Sequence, residues 1–207
     1  MEVSYRVKDQ LRKIGEILVE GDPWREVDLT LFRRKPSFGE ASNTLAELTD
    51  EFHRIELGLA KNYALYLLSQ RSYSSFKLKQ KLEDKKVSET TAEAIITEFR
   101  ERGYLNDELF AEQLIRSRVR AKQGPKQIAL KLRAQGISIK DNEELQELLH
   151  SRKEQKKSIQ KLLQGTYRRY DLTDYHERQK VTAALLRKGF DSDLVYSTLR
   201  HPHTDEE

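Results

Sequence analysis

The chain has 207 residues, of which 37% are apolar and 35% charged, a balance that suits thin layers of amphipathic helices better than one bulky core. No apolar run approaches the roughly 18 residues of a membrane span. The absence of cysteine excludes a disulfide framework, a thiolate metal site and a cysteine nucleophile, and the nine Gly and four Pro form no phosphate-cradling loop.

In chain order, the N-terminus MEVSYRVKDQLRK lacks the apolar stretch and cleavage site of a secretory signal, so a cytoplasmic protein is expected. Ile14–Val19 (IGEILV) and Val27–Phe32 (VDLTLF) are rich in β-branched residues and flank Glu20-Gly21-Asp22-Pro23, which predicts a small β-hairpin. Such a hairpin is marginal alone and must pack on helices or move. Residues 33–43 (RRKPSFGEASN) read as loop.

From about Leu48 the apolar period becomes helical. Phe52, Ile55, Leu59, Tyr63, Tyr66 and Leu67 form a stripe on a long helix ending near Arg71. Ser72–Ser75 caps a second helix carrying Phe76, Leu78 and Leu82. Ser88 opens a third with Ala92, Ile95, Ile96 and Phe99, which Gly103 stops. Asn106 or Asp107 caps the next, striped by Leu109, Phe110, Leu114, Ile115 and Val119. Gly124-Pro125 breaks the chain before Ile128, Leu130 and Leu132, and Gly136 ends that helix. Further helices are expected near 141–152, 154–169, 174–188 and 191–200.

The helices repeat. Leu78, Leu82, Val87 and Ser88 precede Ile128, Leu132, Ile137 and Ser138 by a fixed offset, and Val181, Leu185, Phe190 and Asp191 form a third copy. In each, two apolar residues one turn apart lead to a turn position (Lys86, Gly136, Gly189), then an apolar residue and a Ser or Asp cap. A unit of this kind cannot bury its stripe alone, so neighbouring units should stack into an elongated, curved body. The expected organisation is an N-terminal extension over 1–50, helical repeats over 51–105, 106–152 and 153–200, and an acidic tail over 201–207.

Charge is strongly segregated. The formal net charge is +4, yet residues 110–140 carry +7, 141–149 carry −4 and 150–170 carry +6. Basic density of this kind suits a polyanion, although solvated helix faces have the same composition. The first cluster is Arg116, Arg118, Arg120, Lys122, Lys126, Lys131 and Arg133; the second is Lys156, Lys157, Lys161, Arg168 and Arg169. Spaced two apart, Arg116 to Lys122 fan around more than one helical face, some toward phosphates and others covering neighbouring helices with their stems. Tyr167 and Tyr170 flank Arg168-Arg169, which allows either base stacking or helix packing. Tyr104 reads as a turn aromatic packed between helices, and Phe99, Phe110 and Phe190 as core.

The ordered string Gly103-Tyr104-Leu105-Asn106-Asp107, Phe110-Ala111, Arg116-Ser117-Arg118, Gly124-Pro125, Ile128, Leu132 and Gly136-Ile137-Ser138 is distinctive. Across GYLNDELFAEQLIRSRVRAKQGPKQIALKLRAQGIS the sequence closely resembles the RecX regulatory family, and the weaker repeat pattern extends the resemblance over roughly 60–200. Lys86 departs from it, standing where Gly is expected. The resemblance implies an all-α fold of three tandem three-helix repeats. It also implies a regulator of RecA that lies in the groove of the RecA filament and restrains its ATPase, strand-exchange and co-protease activities in recombination and the SOS response. Partners would be the RecA filament and DNA, single-stranded or also double-stranded, bound by a monomer without a cofactor. The alternative is a free-standing helix-turn-helix DNA reader built around Gly124 or Gly136. The five histidines are scattered and no carboxylate pair is spaced as an acid and base, so an enzyme is not expected.

Overall fold

Three strands, not two, form the N-terminal segment in a computed structural model that describes residues 1–32 and 44–200. Strands β1 (Val3–Asp9), β2 (Ile14–Val19) and β3 (Asp22–Asp28) make an antiparallel sheet in that order. A hairpin forms as expected but from β2 and β3, so Asp22 and Pro23, expected in its turn, are strand residues, and only Val27 and Asp28 of the expected second strand belong to β3. The hairpin's two-residue turn places Glu20 at φ +52° and Gly21 at φ +87°, the type I′ geometry whose twist matches the flanking strands. Strand β1 pairs Val3 with Val19 and Tyr5 with Ile17. The Tyr5 ring lies over Gly15, where a Cβ would sit 2.1 Å from the Tyr5 Oη. The second apolar run is not all strand. After Val27 and Asp28 the Asp28 carboxylate accepts the N–H groups of Thr30 and Leu31 at 2.8 and 2.9 Å, turning the chain into a one-turn helix, α1 (Leu29–Phe32). The loop expected over 33–43 and the tail over 201–207 lie outside the described residues.

The chain divides into two compact units, Met1–Asn106 and Asp107–Glu207. In the first, the sheet packs on helices α2 (Leu45–Gln70), α3 (Ser75–Asp84) and α4 (Glu89–Glu101). Ile17 and Val27 meet Leu48 and Phe52 in one core, where the Trp24 edge stands on Phe52 at 5.4 Å and Phe32 stacks on it at 5.7 Å. The second unit holds α5 (Asp107–Arg120), α6 (Pro125–Ala134), α7 (Glu143–His150), α8 (Arg152–Gln164), α9 (Tyr175–Arg187) and α10 (Ser192–Arg200). It has two cores: Ala111, Ile115, Ile128 and Leu132 anchor one, and Ile159, Val181, Leu185 and Phe190 the other.

The repeated turn is a Schellman motif in all three copies. Lys86, Gly136 and Gly189 adopt φ of +59°, +70° and +87°. The next N–H, from Val87, Ile137 or Phe190, returns to the carbonyl of Leu82, Leu132 or Leu185 at 3.1, 3.0 and 3.4 Å. Ser88 caps α4 as expected, but Ser138 does not cap α7, which starts five residues later under Asn142. A second shared device ties each repeat's first helix to the start of its third. Buried Glu56 accepts from the Ser88 N–H at 3.1 Å and from the Thr91 hydroxyl at 2.7 Å. Glu108 accepts from the Asn142 amide at 2.5 Å, and the Gln155 amide donates to Asp191 at 2.8 Å.

Several stripe residues point outward. Tyr66, Phe76, Leu109 and Leu130 are 60, 44, 49 and 55% exposed, and Phe110 is half-buried rather than core. At about 100° per residue, Leu130 falls on the side of α6 opposite buried Ile128. Tyr104 is also exposed, covering Phe99 edge-on at 5.4 Å.

Candidate nucleic-acid interface

The first basic cluster spans α5, the turn after it and α6. Arg116 and Arg120 share an outward face of α5, and Arg116 Nε is held by Glu112 Oε1 at 2.8 Å. Arg118 falls one turn beyond Ile115 on the core-facing side and is half-buried; its Nε is buried without a hydrogen-bond partner among the described residues. Helix α5 ends at Arg120, so Lys122 is not on a helical face. It occupies a fourth Schellman turn at φ +57°, with its N–H on Val119 O at 2.8 Å and the Gln123 N–H on Arg118 O at 3.0 Å. On α6, Lys126 and Arg133 flank Leu130 on the exposed face, while Lys131 is half-buried. Arg118, Arg120, Lys131 and Arg133 lie in the last turns of their helices, where cations offset the negative end of the macrodipole.

The α5–α6 turn is held rigidly within the second unit. Gly124 donates its N–H to Lys188 O at 2.8 Å, and the Lys126 N–H reaches Gly189 O at 3.1 Å, so the start of α6 abuts the end of α9. A Cβ on Gly124 would lie 2.2 Å from the Gly189 carbonyl carbon, and one on Gly189 would lie 2.6 Å from the Gln127 nitrogen. Glycine at both positions is therefore what lets two helix ends, opposite in dipole sign, meet backbone to backbone.

The second cluster follows α8. Lys157 and Lys161 stand one turn apart on its exposed face, Lys156 is half-buried, and Arg168 and Arg169 are exposed beyond Gly165. Arg169 lies over the Tyr170 ring, 5.9 Å from its centroid, and Tyr167 meets Tyr170 edge-to-face at 6.1 Å. Both tyrosines pack against the third core, and burial raises the Tyr167 hydroxyl pKa above its ordinary value. The side chains of Gln160 and Gln164, one helical turn apart on α8, line a cleft together with Tyr167, Arg168 and Tyr170.

Ion pairs are denser in the first unit than in the second. In the first, Lys8, Lys61, Lys79, Lys81, Lys85 and Lys86 all have carboxylate partners within 4 Å. In the second, Arg118, Arg120, Lys122, Lys126, Lys131 and Arg133 have no ion-pair partner among the described residues, nor do Lys157, Lys161, Arg168 and Arg169. Only Arg116 of the first cluster is neutralised in place. Five carboxylates of the second unit, Glu108, Glu112, Glu144, Glu147 and Glu154, line a groove of about 470 Å³ together with Arg116. Cations without a carboxylate partner keep their charge available to a polyanion. No group of three or more metal-ligating side chains occurs among the described residues, and no described helix is long and apolar enough to cross a membrane.

Comparison with known proteins follows the same three-part division. Residues 60–99, 106–141 and 153–199 match the first, second and third three-helix domains of RecX. The regulatory protein RecX of Neisseria meningitidis serogroup C is 34% identical, covering 67% of this chain and 87% of its own length. That of Legionella pneumophila strain Corby is 33% identical, over 64% of this chain and 87% of its own. The crystal structure of RecX from Lactobacillus salivarius aligns with a TM-score of 0.63 at 26% identity, over 70% of this chain and 95% of that one. A second regulatory protein RecX shares the fold at 20% identity and a TM-score of 0.63, over 96% of this chain and 97% of that one. With its three Schellman-turned repeats matched in order by these three domains, the chain belongs to the RecX family of regulatory proteins, which are not enzymes.

Proposed function

We propose that this chain is a cytoplasmic, monomeric modulator of RecA. It binds the RecA–DNA filament and restrains its ATPase, strand-exchange and co-protease activities without chemistry of its own. Family membership supplies the partner. The observation that carries the contact surface is the set of exposed, unpaired cations Arg120, Lys126 and Arg133 around the rigid α5–α6 turn. These, with the second patch of Lys156, Lys157, Lys161, Arg168 and Arg169, offer attraction to phosphates or to an acidic filament surface. Bridging neighbouring RecA protomers would oppose the rearrangements that accompany ATP turnover and obstruct the partner duplex or repressor. The basic residues are spread over several elements, which suits backbone binding better than base readout from one recognition helix.

The test is RecA ATPase on saturating single-stranded DNA, titrated with the wild type and with an Arg120→Ala, Lys126→Ala, Arg133→Ala variant. Substoichiometric inhibition by the wild type, weakened in the folded variant, supports filament binding through this surface. No inhibition at several-fold excess refutes the modulator role. High affinity for one duplex over scrambled competitors would then favour a sequence reader.

A further inference from the structure

We propose that the cleft between α8 and the turn following it is a subsite for one unstacked base of single-stranded DNA. This rests on the DNA contact proposed above and gives it a ligand chemistry that the charge pattern alone does not.

The cleft has a volume of about 450 Å³, within the range of small-molecule sites. Its floor is apolar and aromatic: Leu163, Leu172 and the rings of Tyr167 and Tyr170. Above the floor stand Gln160 and Gln164, one helical turn apart and so on one face of α8. Neither amide has a hydrogen-bond partner among the described residues, and neither do the Tyr167 and Tyr170 hydroxyls. Four polar groups able both to donate and to accept are therefore unused around an aromatic and apolar floor. Arg168 lines the cleft, Arg169 lies over Tyr170 beside it, and no carboxylate lines it.

That combination specifies its occupant. The face of one tyrosine in the edge-to-face pair of Tyr167 and Tyr170 suits a flat, weakly polar ring. The unused amides and hydroxyls select one whose edge both donates and accepts. The guanidiniums select an attached anion, and a planar guanidinium can in addition stack on a base. A nucleobase on a phosphodiester backbone meets all three conditions, and an aliphatic side chain of a protein partner meets only the first. The base must be unstacked, since in a duplex its faces are covered and its pairing edge is engaged. Two other grooves of the second unit lack this set: one is lined by five carboxylates, and the 890 Å³ groove between α9 and α10 has Gln179 and Thr182 already hydrogen-bonded within α9 and Thr173 bonded to Asp171.

The experiment is fluorescence anisotropy of the full chain with a short oligo(dT) and with an abasic strand of equal length and charge. The wild type should bind oligo(dT) about tenfold more tightly than the abasic strand, the size of one base–aromatic stack. Tyr170→Leu should lower oligo(dT) affinity to the abasic level, and separately the double variant Gln160→Leu, Gln164→Leu should lower it by a smaller factor, both leaving abasic affinity unchanged. The double variant alters no core residue, so it keeps the test valid if Tyr170→Leu unfolds. Equal wild-type affinity for both strands overturns the subsite while leaving a charge-only contact, and the filament role, intact. Failure to bind either strand overturns the subsite and the DNA contact together, with RecA inhibition then reporting separately on the filament role.

Discussion

Glu16 shows how a single residue in this chain carries structure that its neighbours in sequence do not announce. It sits on the middle strand β2, nearly buried, and accepts from Arg6 Nε at 2.8 Å and from Lys8 Nζ at 3.2 Å on β1. The Arg6 guanidinium first, and Lys8 after it, hold its carboxyl below the usual glutamate range against the opposing effect of desolvation. A carboxylate with a lowered folded pKa stabilises the protein above the unfolded value, about 4.3, and loses that contribution as pH falls through the lowered value. Glu16→Gln should therefore melt earlier than wild type at neutral pH, with the two melting temperatures converging as pH is taken below about 4. A constant difference across that window, read by circular dichroism, would mean that packing and not charge is responsible. The strand pattern of β1 is present in the sequence, since Val3, Tyr5 and Val7 alternate with Ser4, Arg6 and Lys8. Its pairing is not, because the carboxylate that Arg6 and Lys8 meet lies ten and eight residues downstream, a distance at which local pattern carries no signal.

Among the elements, the Schellman turns were the most legible, because a left-handed residue after an apolar helix end restricts composition strongly. Gly136 and Gly189 declared it; Lys86 was located only through the repeat, and its φ of +59° now accounts for its place there. A non-glycine residue in this conformation costs about 1–2 kcal/mol. Lys86 gains in return an ion pair with Glu26 at 3.2 Å, both side chains substantially exposed, which offsets little of that cost. Glycine is looser in the unfolded chain, which takes back part of the relief. Lys86→Gly should nonetheless raise stability by about 0.5–1 kcal/mol, measured by urea denaturation at unchanged m-value. Destabilisation would show that the Glu26 pair matters more than the backbone. Ser138 failed as a cap for a related reason: the second repeat inserts Ile139–Asp141 before its third helix, and Ile139 is itself buried in the core. A Ser after the turn matched the pattern, but the insertion moved the cap to Asn142.

At the scale of the whole molecule, a net charge of +4 conceals the property that counts for binding, which is where the charges remain unsatisfied. The basic clusters were visible in the sequence as density. Their division was not, because it depends on rotation about helices: Arg118 turns inward, Arg116 is held by Glu112, and Arg120, Lys126 and Arg133 stay exposed and unpaired. This division has a quantitative consequence for DNA binding. Each phosphate neutralised releases condensed counterion, so log affinity falls linearly with log salt concentration, by about 0.7 per contact on a single strand. If Arg120, Lys126 and Arg133 each meet a phosphate, replacing all three by Ala should flatten the salt dependence by about 2 units of slope and weaken binding at low salt more than at high salt. Replacing Arg116 alone should change the slope little, since its charge is already balanced by Glu112. The measurement is anisotropy on oligo(dT) across a salt series. An unchanged slope in the triple variant would move the phosphate contacts off the α5–α6 surface and onto the lysines and arginines that follow α7.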